Sequence, residues 1–463
     1  MEEQPPPPPP SQAPIAAAAD ENTIDNLPET LILHILSFLP TLDAVTTSLV
    51  SKKWHKLWTM IPSLNFSLTN FPPYKTPSTT RKFFANFIDR TLISRAHSPP
   101  STLRLDFIYE ERFKFHVDSW VRYAINNHVQ ELGFDFFIDR SFFQNEPFLH
   151  EVDFYDFPLS ALKDGKIRVL RLTRCDLYFP LSVRSLNLWM LKSVYLDQVF
   201  LSDQMCLDLM SGCFNLEFLE LESCYGMSSL KISSRSLKEL EIKHFIRNDE
   251  EFDLEIDCGS LVRLNIVWFE VKNCWFKNLL NLVHFGTDIG HKNGLYYRYW
   301  SKIVGLLDQI PQIESLAVQN WWLKLDPKKA FSKDFQLYHL KHLELQTGYT
   351  QYDLLGMEAL LELTPNVETM IFDYLYKIDE DESLSEDLAN KPIILSMPNL
   401  KEVKMKEFTG TENEVKFLEL LKKQGAVLEK IVIVPAEVGD TKYAPIVLRR
   451  RRRNTEIAET IST

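Results

Sequence analysis

The amino-acid sequence predicts an α/β chain: a short N-terminal unit of three helices, then an irregular solenoid of parallel strands with helical returns, curved as a horseshoe. Two observations carry this. A template L-x-x-L-x-L, apolar at each L, recurs from residue 129 to residue 433. Ahead of it, residues 27–61 place apolar side chains at helical spacing, punctuated by proline and by capping residues.

The first 22 residues read as a disordered leader, with prolines from Pro5 to Pro10 followed by four alanines. This acidic, proline-rich start lacks the basic region of a secretory signal, and no run reaches the ~18 apolar residues of a membrane span. Residues 23–62 form the helical unit. Pro28 and Glu29 suit the first turn of a helix that Pro40 stops. Its polar residues Thr30, His34 and Ser37 make one narrow stripe, and almost everything else is apolar. Thr41 caps a second helix with the stripe Leu42, Val45, Leu49. Ser51 caps a third, with Trp54, Leu57, Trp58 and Ile61 on one side. About forty residues cannot bury so wide an apolar surface among themselves. The surplus meets either another protein or the rest of this chain, and the pattern alone does not choose. Residues 63–100 read as a helical connector, with its helix in "TTRKFFANFIDRTLISRA".

Repeats occupy residues 101–390, opened by "TLRLDF" at 102. The template starts at 129, 167, 191, 216, 237, 261, 313, 340, 367, 400 and 428, with a weaker copy at 282. From 167 the steps are 24, 25, 21, 24, 21, 31, 27, 27, 33 and 28 residues, the period of a leucine-rich repeat stretched by insertions. No single repeat can bury its leucines, so stacked neighbours must share one core. The asparagine usual after such strands is missing from most of them, which predicts irregular stacking with helical returns; "SDQMCLDLMSGC" and "TENEVKFLELLKKQG" fit them. The acidic run "IDEDESLSED" at 378–387 reads as a solvated loop. Residues 437–463 read as a basic flexible tail, in which Arg449, Arg450, Arg451, Arg452 and Arg453 form a candidate nuclear-import signal.

The composition narrows the chemistry. The 463 residues are 45% hydrophobic, enough for a large core, and a net charge of -12 argues against nucleic acid as a partner of the whole surface. The cysteines Cys175, Cys206, Cys213, Cys224, Cys258 and Cys274 form no C-x-x-C pair and read as reduced thiols of an intracellular protein, in the nucleus or the cytoplasm. The sequence lacks the phosphate-binding, zinc-protease, nucleophile-elbow and calcium-loop motifs, so no catalytic residue, metal or cofactor is expected. His342 and Glu344 share a strand face, an arrangement that is usually an incidental surface contact. The x positions of the strands point away from the core. Tyr195, Glu220, Glu241, Asn265, Glu344 and Lys404 are the candidate substrate-binding positions among them, and Glu220, Glu222, Glu239 and Glu241 form an acidic patch that either attracts a basic ligand or is a wet surface.

The stretch "IDNLPETLILHILSFLPTLDAVTTSLVSKKWHKLW" closely resembles the F-box of plant proteins, with Leu27-Pro28, Ser37-Phe38-Leu39-Pro40, Ala44-Val45, Thr47-Ser48, Ser51-Lys52, Trp54 and Trp58 in register; His55 stands where arginine is frequent. "VDSWVRYAINNHVQEL" and the segment 191–221 resemble the leucine-rich repeats that follow such F-boxes, and "MPNLKEVKMKEFTGTENEVKFLELLKKQGAVLEKIVI" resembles the FBD segment that closes them, here 391–436. The resemblance implies that the helical unit docks on a Skp-family adaptor, and through it on a cullin and a RING protein, in an SCF ubiquitin ligase. The repeats would then select an unidentified protein substrate, making the chain a non-catalytic receptor. It implies a docking face of Leu27, Pro28, Ile32, Ile35, Leu36, Leu39, Val50, Trp54 and Leu57, with Phe38, Val45, Leu49 and Trp58 packed inside. The alternatives are a leucine-rich-repeat scaffold whose helical unit is a structural cap, and a small-molecule receptor.

Overall fold

The computed structural model describes residues 27–49, 52–95, 98–136, 153–178, 187–245, 252–267, 273–288, 307–319, 335–374, 390–424, 427–436, 446–450 and 457–461. The proline-rich leader, Val50, the expected cap Ser51, the acidic run at 378–387 and Arg451, Arg452 and Arg453 lie outside them. The chain divides into two compact units, Met1–Leu105 and Asp106–Thr463.

In the first unit α1 (Glu29–Ser37), α2 (Thr41–Thr46) and α3 (Lys52–Leu57) are short helices, each too short to persist alone. Pro28 and Pro40 precede the first two, where a missing N–H costs nothing. A 3-10 turn at Trp58–Met60 follows α3. Packing of α1 on α3 and on this turn supplies the stability that length does not, around buried Ile32, Leu36, Ala44, Trp54, Leu57 and Trp58. The connector expected to be helical starts instead with a strand, β1 (Ser63–Ser67), whose alternation S-L-N-F-S buries Leu64 and Phe66. The helix α4 (Pro77–Ser94) follows, capped by the Thr76 hydroxyl. It ends at Arg95, a buried arginine that donates to the carbonyls of Ile61, Trp58 and Ser98. Parallel to β1, β2 (Thr102–Asp106) lies beside it.

The second unit is one long parallel sheet. Its strands are β3 (Glu131–Asp135), β5 (Val169–Thr173), β7 (Ser193–Asp197), β8 (Phe218–Glu222), β10 (Glu239–Lys243), β12 (Arg263–Val267), β14 (His284–Asp288), β15 (Ser315–Gln319), β16 (His342–Thr347), β17 (Thr369–Tyr374), β18 (Glu402–Phe408) and β19 (Lys430–Pro435), adjacent in that order. Each starts two residues into a copy of the L-x-x-L-x-L template, the weak copy at 282 included. The two leucine-type residues on each strand are buried, and the x residues lie on the other face.

The returns are mixed. Helices α5 (Lys114–Asn126), α6 (Asp203–Gly212), α7 (Gln351–Leu363) and α8 (Glu412–Gln424) occupy four of them, α6 and α8 where helical periodicity predicts them. Three returns in the middle are strands instead: β9 (Ser229–Ser233), β11 (Asp253–Asp257) and β13 (Asn273–Lys277), paired in parallel as a second sheet. S-L-K-I-S and D-L-E-I-D alternate with the period of a strand. Two further short strands, β4 (Tyr155–Phe157) and β6 (Cys175–Leu177), pair with each other.

The polar ladder that repeat proteins need exists, on the entry side of the strands. Asn215 donates to Trp189 O (2.9 Å), Ser236 to Leu216 O (2.8 Å), Ser260 to Arg235 O (2.7 Å), Asn281 to Gly259 O (2.7 Å), Gln312 to Leu279 O (2.7 Å), Asn366 to Tyr338 O (2.9 Å) and Asn399 to Pro365 O (3.2 Å). Each rung satisfies a turn carbonyl of the previous repeat. On the exit side, Arg174, Gln198, Ser223 and His244 adopt positive φ between 50° and 57°, and their N–H groups donate to the last residue of the next strand.

The tail expected to be flexible contributes two strands, β20 (Ile446–Arg450) and β21 (Ile457–Ile461), antiparallel to β19 and to each other. Arg449 and Arg450 therefore belong to β20. The edge of β19 would otherwise leave its backbone groups unpaired.

Candidate functional site

Two surfaces carry side chains that neither core uses. The first is on α1. Its buried side is Ile32 and Leu36, one turn apart. Leu31, Ile35 and Phe38, at i, i+4 and i+7, line another side and are 43%, 38% and 74% exposed. Pro28 continues this stripe toward the N-terminus, and His34 stands edge-on to Phe38 at 4.8 Å. Leu49, in the turn after α2, is 85% exposed. Lys53 donates to Leu27 O at 2.8 Å and so fixes the start of α1 against α3. A helix this apolar that leaves three large side chains in water is built to be covered.

The second surface is the outward face of the long sheet. Tyr195, Glu220, Glu241, Asn265, Glu344 and Lys404 all fall on its middle row: Tyr195, Glu220, Glu241 and Asn265 are consecutive cross-strand neighbours, and Gly286 and Ala317 lead on to Glu344, then Ile371 to Lys404. All six are half-buried. A chain of polar contacts runs across five strands. Ser315 Oγ is 2.9 Å from His284 Nδ1, His284 Nε2 is 3.1 Å from Asn265 Oδ1, and Asn265 Nδ2 donates to Glu241 at 3.4 Å. Lys243 then bridges Glu241 (2.5 Å) and Glu220 (2.8 Å). Gly286 makes room for this chain: a Cβ there would stand 2.2 Å from Asn265 Oδ1. Burial, joined by the charge of Arg263, holds the His284 ring down at about 4, so it is neutral at physiological pH.

At one end of the row the character changes. The Arg171 guanidinium lies 3.3 Å from the centre of the Tyr195 ring, which leans on Phe218 at 4.7 Å, with Glu131 3.6 Å from Arg171. Beside them Asp197 and Glu222 are direct cross-strand neighbours. Burial, with Glu222 and Asp135 close by, pushes the Asp197 carboxyl up to about 6. The acidic patch expected from Glu220, Glu222, Glu239 and Glu241 is thus partly neutralised within the chain, by Lys243, and by Arg263 at 4.0 Å from Glu239. Among the described residues no group of three or more His, Cys, Asp or Glu side chains is placed to hold a metal ion, and no helix is long and apolar enough to cross a membrane.

Comparison with known proteins assigns both units. An F-box domain family model matches residues 24–66, and the leucine-rich-repeat domain of the At1g61320/AtMIF1 type matches residues 98–442. The chain belongs to the F-box/leucine-rich-repeat family. Among curated relatives, the F-box/FBD/LRR-repeat protein At5g44980 of Arabidopsis thaliana is 27% identical over 89% of this chain and 92% of its own length. The F-box/FBD/LRR-repeat protein At5g56420 of the same plant is 28% identical over 75% of this chain and 76% of its own. A third, At2g04230, reaches 32% over 48% of each.

Within the F-box the structure re-sorts the expected docking residues. Ile32, Leu36, Trp54 and Leu57, expected on the free face, are buried and hold the helices together. Phe38 and Leu49, expected inside, are among the most exposed large apolar side chains of the described residues; Val45 is half-buried, and Trp58 is inside as expected. Ile35 and Pro28 are exposed, and Leu27 and Leu39 half-buried. A helix apolar on nearly every side has no phase for the sequence to reveal, and the partner helices set it. Leu31 was missed altogether; its i, i+4, i+7 relation to Ile35 and Phe38 was the available signal. In the repeats, Arg171, Lys243 and His284 tie the predicted row together and were also missed. Period-two alternation places them on the same face.

Proposed function

We propose that the chain is the substrate-recognition subunit of an SCF-type cullin-RING E3 ubiquitin ligase. The F-box docks on a Skp-family adaptor, and through it on the cullin and the RING protein. The outward face of the repeats holds the protein to be ubiquitinated. The chain then supplies proximity between target and ubiquitin-charged enzyme, and no bond chemistry of its own. The observation that carries this reading is the exposed stripe of Leu31, Ile35 and Phe38 on a helix whose other apolar side is already packed. Large aromatic and aliphatic anchors of this kind dominate stable interfaces.

The test is capture of a purified plant Skp-type adaptor by the full chain, beside an Ile35→Ala/Phe38→Ala variant whose circular dichroism matches the parent. Sub-micromolar binding by the parent and a loss of tenfold or more in the variant support the reading. Absence of binding by a folded parent overturns it and leaves the F-box as a cap on a repeat scaffold. For the location we propose the nucleus or the cytoplasm, with Arg449–Arg453 as the import signal. A fluorescent fusion with the five arginines changed to glutamine stays out of the nucleus if the run is the signal, and enters as before if it is not.

A further inference from the structure

The loop between β1 and α4 builds a platform of rings in the first unit. The Tyr74 ring stacks on Phe83 at 4.2 Å and 19°, and Phe71 lies beside Tyr74 at 6.3 Å and 29°. Phe71 is anchored in turn by Phe84 at 5.1 Å and Phe87 at 5.7 Å. The Tyr74 N–H donates to the buried Thr80 hydroxyl at 2.9 Å, which fixes the loop to α4. Yet Tyr74 and Phe83 are 47% and 44% exposed, and Pro72 and Pro73 are exposed with them. Rings held this firmly and left half in water are a preformed apolar surface.

Its chemistry points to one kind of occupant. The Tyr74 hydroxyl has no hydrogen-bond partner among the described residues. Lys75 and Lys82, exposed and each next in sequence to one of the two rings, make no ion pair among them, and no acidic residue occurs from 68 to 88. A polyproline II strand is the complement. Its proline rings pack on aromatic rings, and its carbonyls, bonded to nothing within the strand, accept from a donor such as a tyrosine hydroxyl. This chain carries the sequence for one at Pro5–Pro10, and residues 1–26 hold five carboxylates, Glu2, Glu3, Asp20, Glu21 and Asp25, with no lysine or arginine. The sixteen residues 11–26 join the run to Leu27, where the described part of the unit begins, and span ~50 Å at full extension. A compact unit of about eighty residues has a radius of gyration of only about 12 Å, so the whole of its surface is within reach.

We propose that Pro5–Pro10 docks on the Tyr74–Phe83 platform of its own chain as a polyproline II strand, with a carbonyl accepting from the Tyr74 hydroxyl and the leader's carboxylates facing Lys75 and Lys82. Tethering favours this occupant over a separate molecule. A flexible connector of sixteen residues has a root-mean-square span of roughly 20 Å and keeps its end near the platform at an effective concentration in the millimolar range. A contact too weak to form between separate molecules is therefore made within one. The platform shares no residue with the exposed stripe of α1, and the inference does not depend on the ligase reading.

The probe is a fluorescein-labelled peptide of residues 1–12, MEEQPPPPPPSQ, read by anisotropy against the full chain and against a full-length variant whose prolines at 5–10 are all changed to serine. The serine variant is expected to bind the peptide saturably, and the parent about tenfold more weakly, because its own segment holds the site. In the serine variant, Tyr74→Ala is expected to weaken the peptide roughly fivefold or more. Lys75→Ser/Lys82→Ser is expected to weaken it roughly threefold at low salt, with the difference closing at high salt. Tyr74→Phe, which keeps the ring and drops the hydroxyl, is expected to weaken it about twofold and serves if Tyr74→Ala does not fold. No binding by the serine variant overturns the proposal, as does equal binding by the parent. Equal binding of a peptide with serine in place of the six prolines shows that charge alone holds it, and overturns the platform. Sedimentation of the parent at rising concentration is the last arm. A dimer that depends on the six prolines assigns the segment to a second copy and overturns docking within one chain; a monomer throughout is the result expected.

Discussion

His284 Nε2 stands 3.1 Å from Asn265 Oδ1 across two neighbouring strands, and its Nδ1 stands 2.9 Å from the Ser315 hydroxyl. Asn265 gives an amide proton to Glu241, so its oxygen accepts from Nε2–H. The folded protein keeps the ring neutral down to about pH 4, which leaves Nδ1 bare to accept from Ser315. With the folded pKa below the unfolded value of about 6.5, the unfolded state binds more protons in between, so stability is lost as pH falls from about 6.5 through 4. Asp197 has the opposite sign: its folded pKa of about 6 lies above the unfolded value, so stability is lost as pH rises from about 4 through 6. Urea midpoints followed from pH 7 to pH 4 should fall less in His284→Gln than in the parent, and fall more in Asp197→Asn. The same slope in all three proteins would rule out both assignments.

Gly286 is a second test of the polar row. A methyl group there meets Asn265 Oδ1 at 2.2 Å and has to displace it. Gly286→Ala should destabilise the fold by about 1–3 kcal/mol, the range for overpacking a filled site. Gly259→Ala, where the nearest atom is 3.8 Å away, is the control and should stay within about 0.5 kcal/mol. Equal unfolding midpoints for the two variants would show that the row has slack.

The two sides of α1 should separate stability from docking. Ile32→Ala deletes a fully buried side chain and should cost about 2–5 kcal/mol. Phe38→Ala and Leu49→Ala remove side chains already in water and should shift stability by about 0.5 kcal/mol or less, while weakening adaptor capture. Denaturation curves beside capture assays decide it, and a large stability loss from Phe38→Ala would mean that its ring is packed.

Arg95 ties the end of α4 to the turn after α3 through carbonyls of Trp58 and Ile61. Arg95→Met keeps much of the bulk but strips those buried carbonyls of their donor, and should cost about 1–3 kcal/mol. Hydrogen exchange should speed up first around residues 58–61. A uniform change along the first unit would point to bulk rather than to the hydrogen bonds.

Thiol labelling is the last check. Burial pushes the Cys206, Cys213 and Cys224 thiols up to about 12, and Cys274 likewise. Alkylation at pH 8 should be slow in the native protein and fast in denaturant for all four. Rapid native labelling at any of them would place that sulfur at the surface.

The strands were legible because one leucine position out of register exposes a core residue, so the spacing of the template is under strict physical control. The F-box helices were legible from Pro28, Pro40 and the tryptophans. Which side of α1 faces inward was not, since Ile32 and Ile35 are chemically equal and only the packed partners distinguish them. The strand returns at Ser229–Ser233 and Asp253–Asp257 were readable from their alternation, but the absence of asparagine after the main strands pointed toward helices. The asparagines and serines that link the repeats stand before the strands, at Asn215, Ser236 and Asn281, where a search on the exit side does not find them.

That placement has a consequence for how such a chain can diversify. Each rung clips a turn to its immediate predecessor just before the strand begins, so the register of the seven strands that have one is set on the upstream side. Whatever follows the strand can lengthen freely, as the steps of 31 and 33 residues show. The added cost is loop entropy, which grows only slowly with length. New surface can therefore be grown on the downstream rim, repeat by repeat, without retuning the stack beneath it.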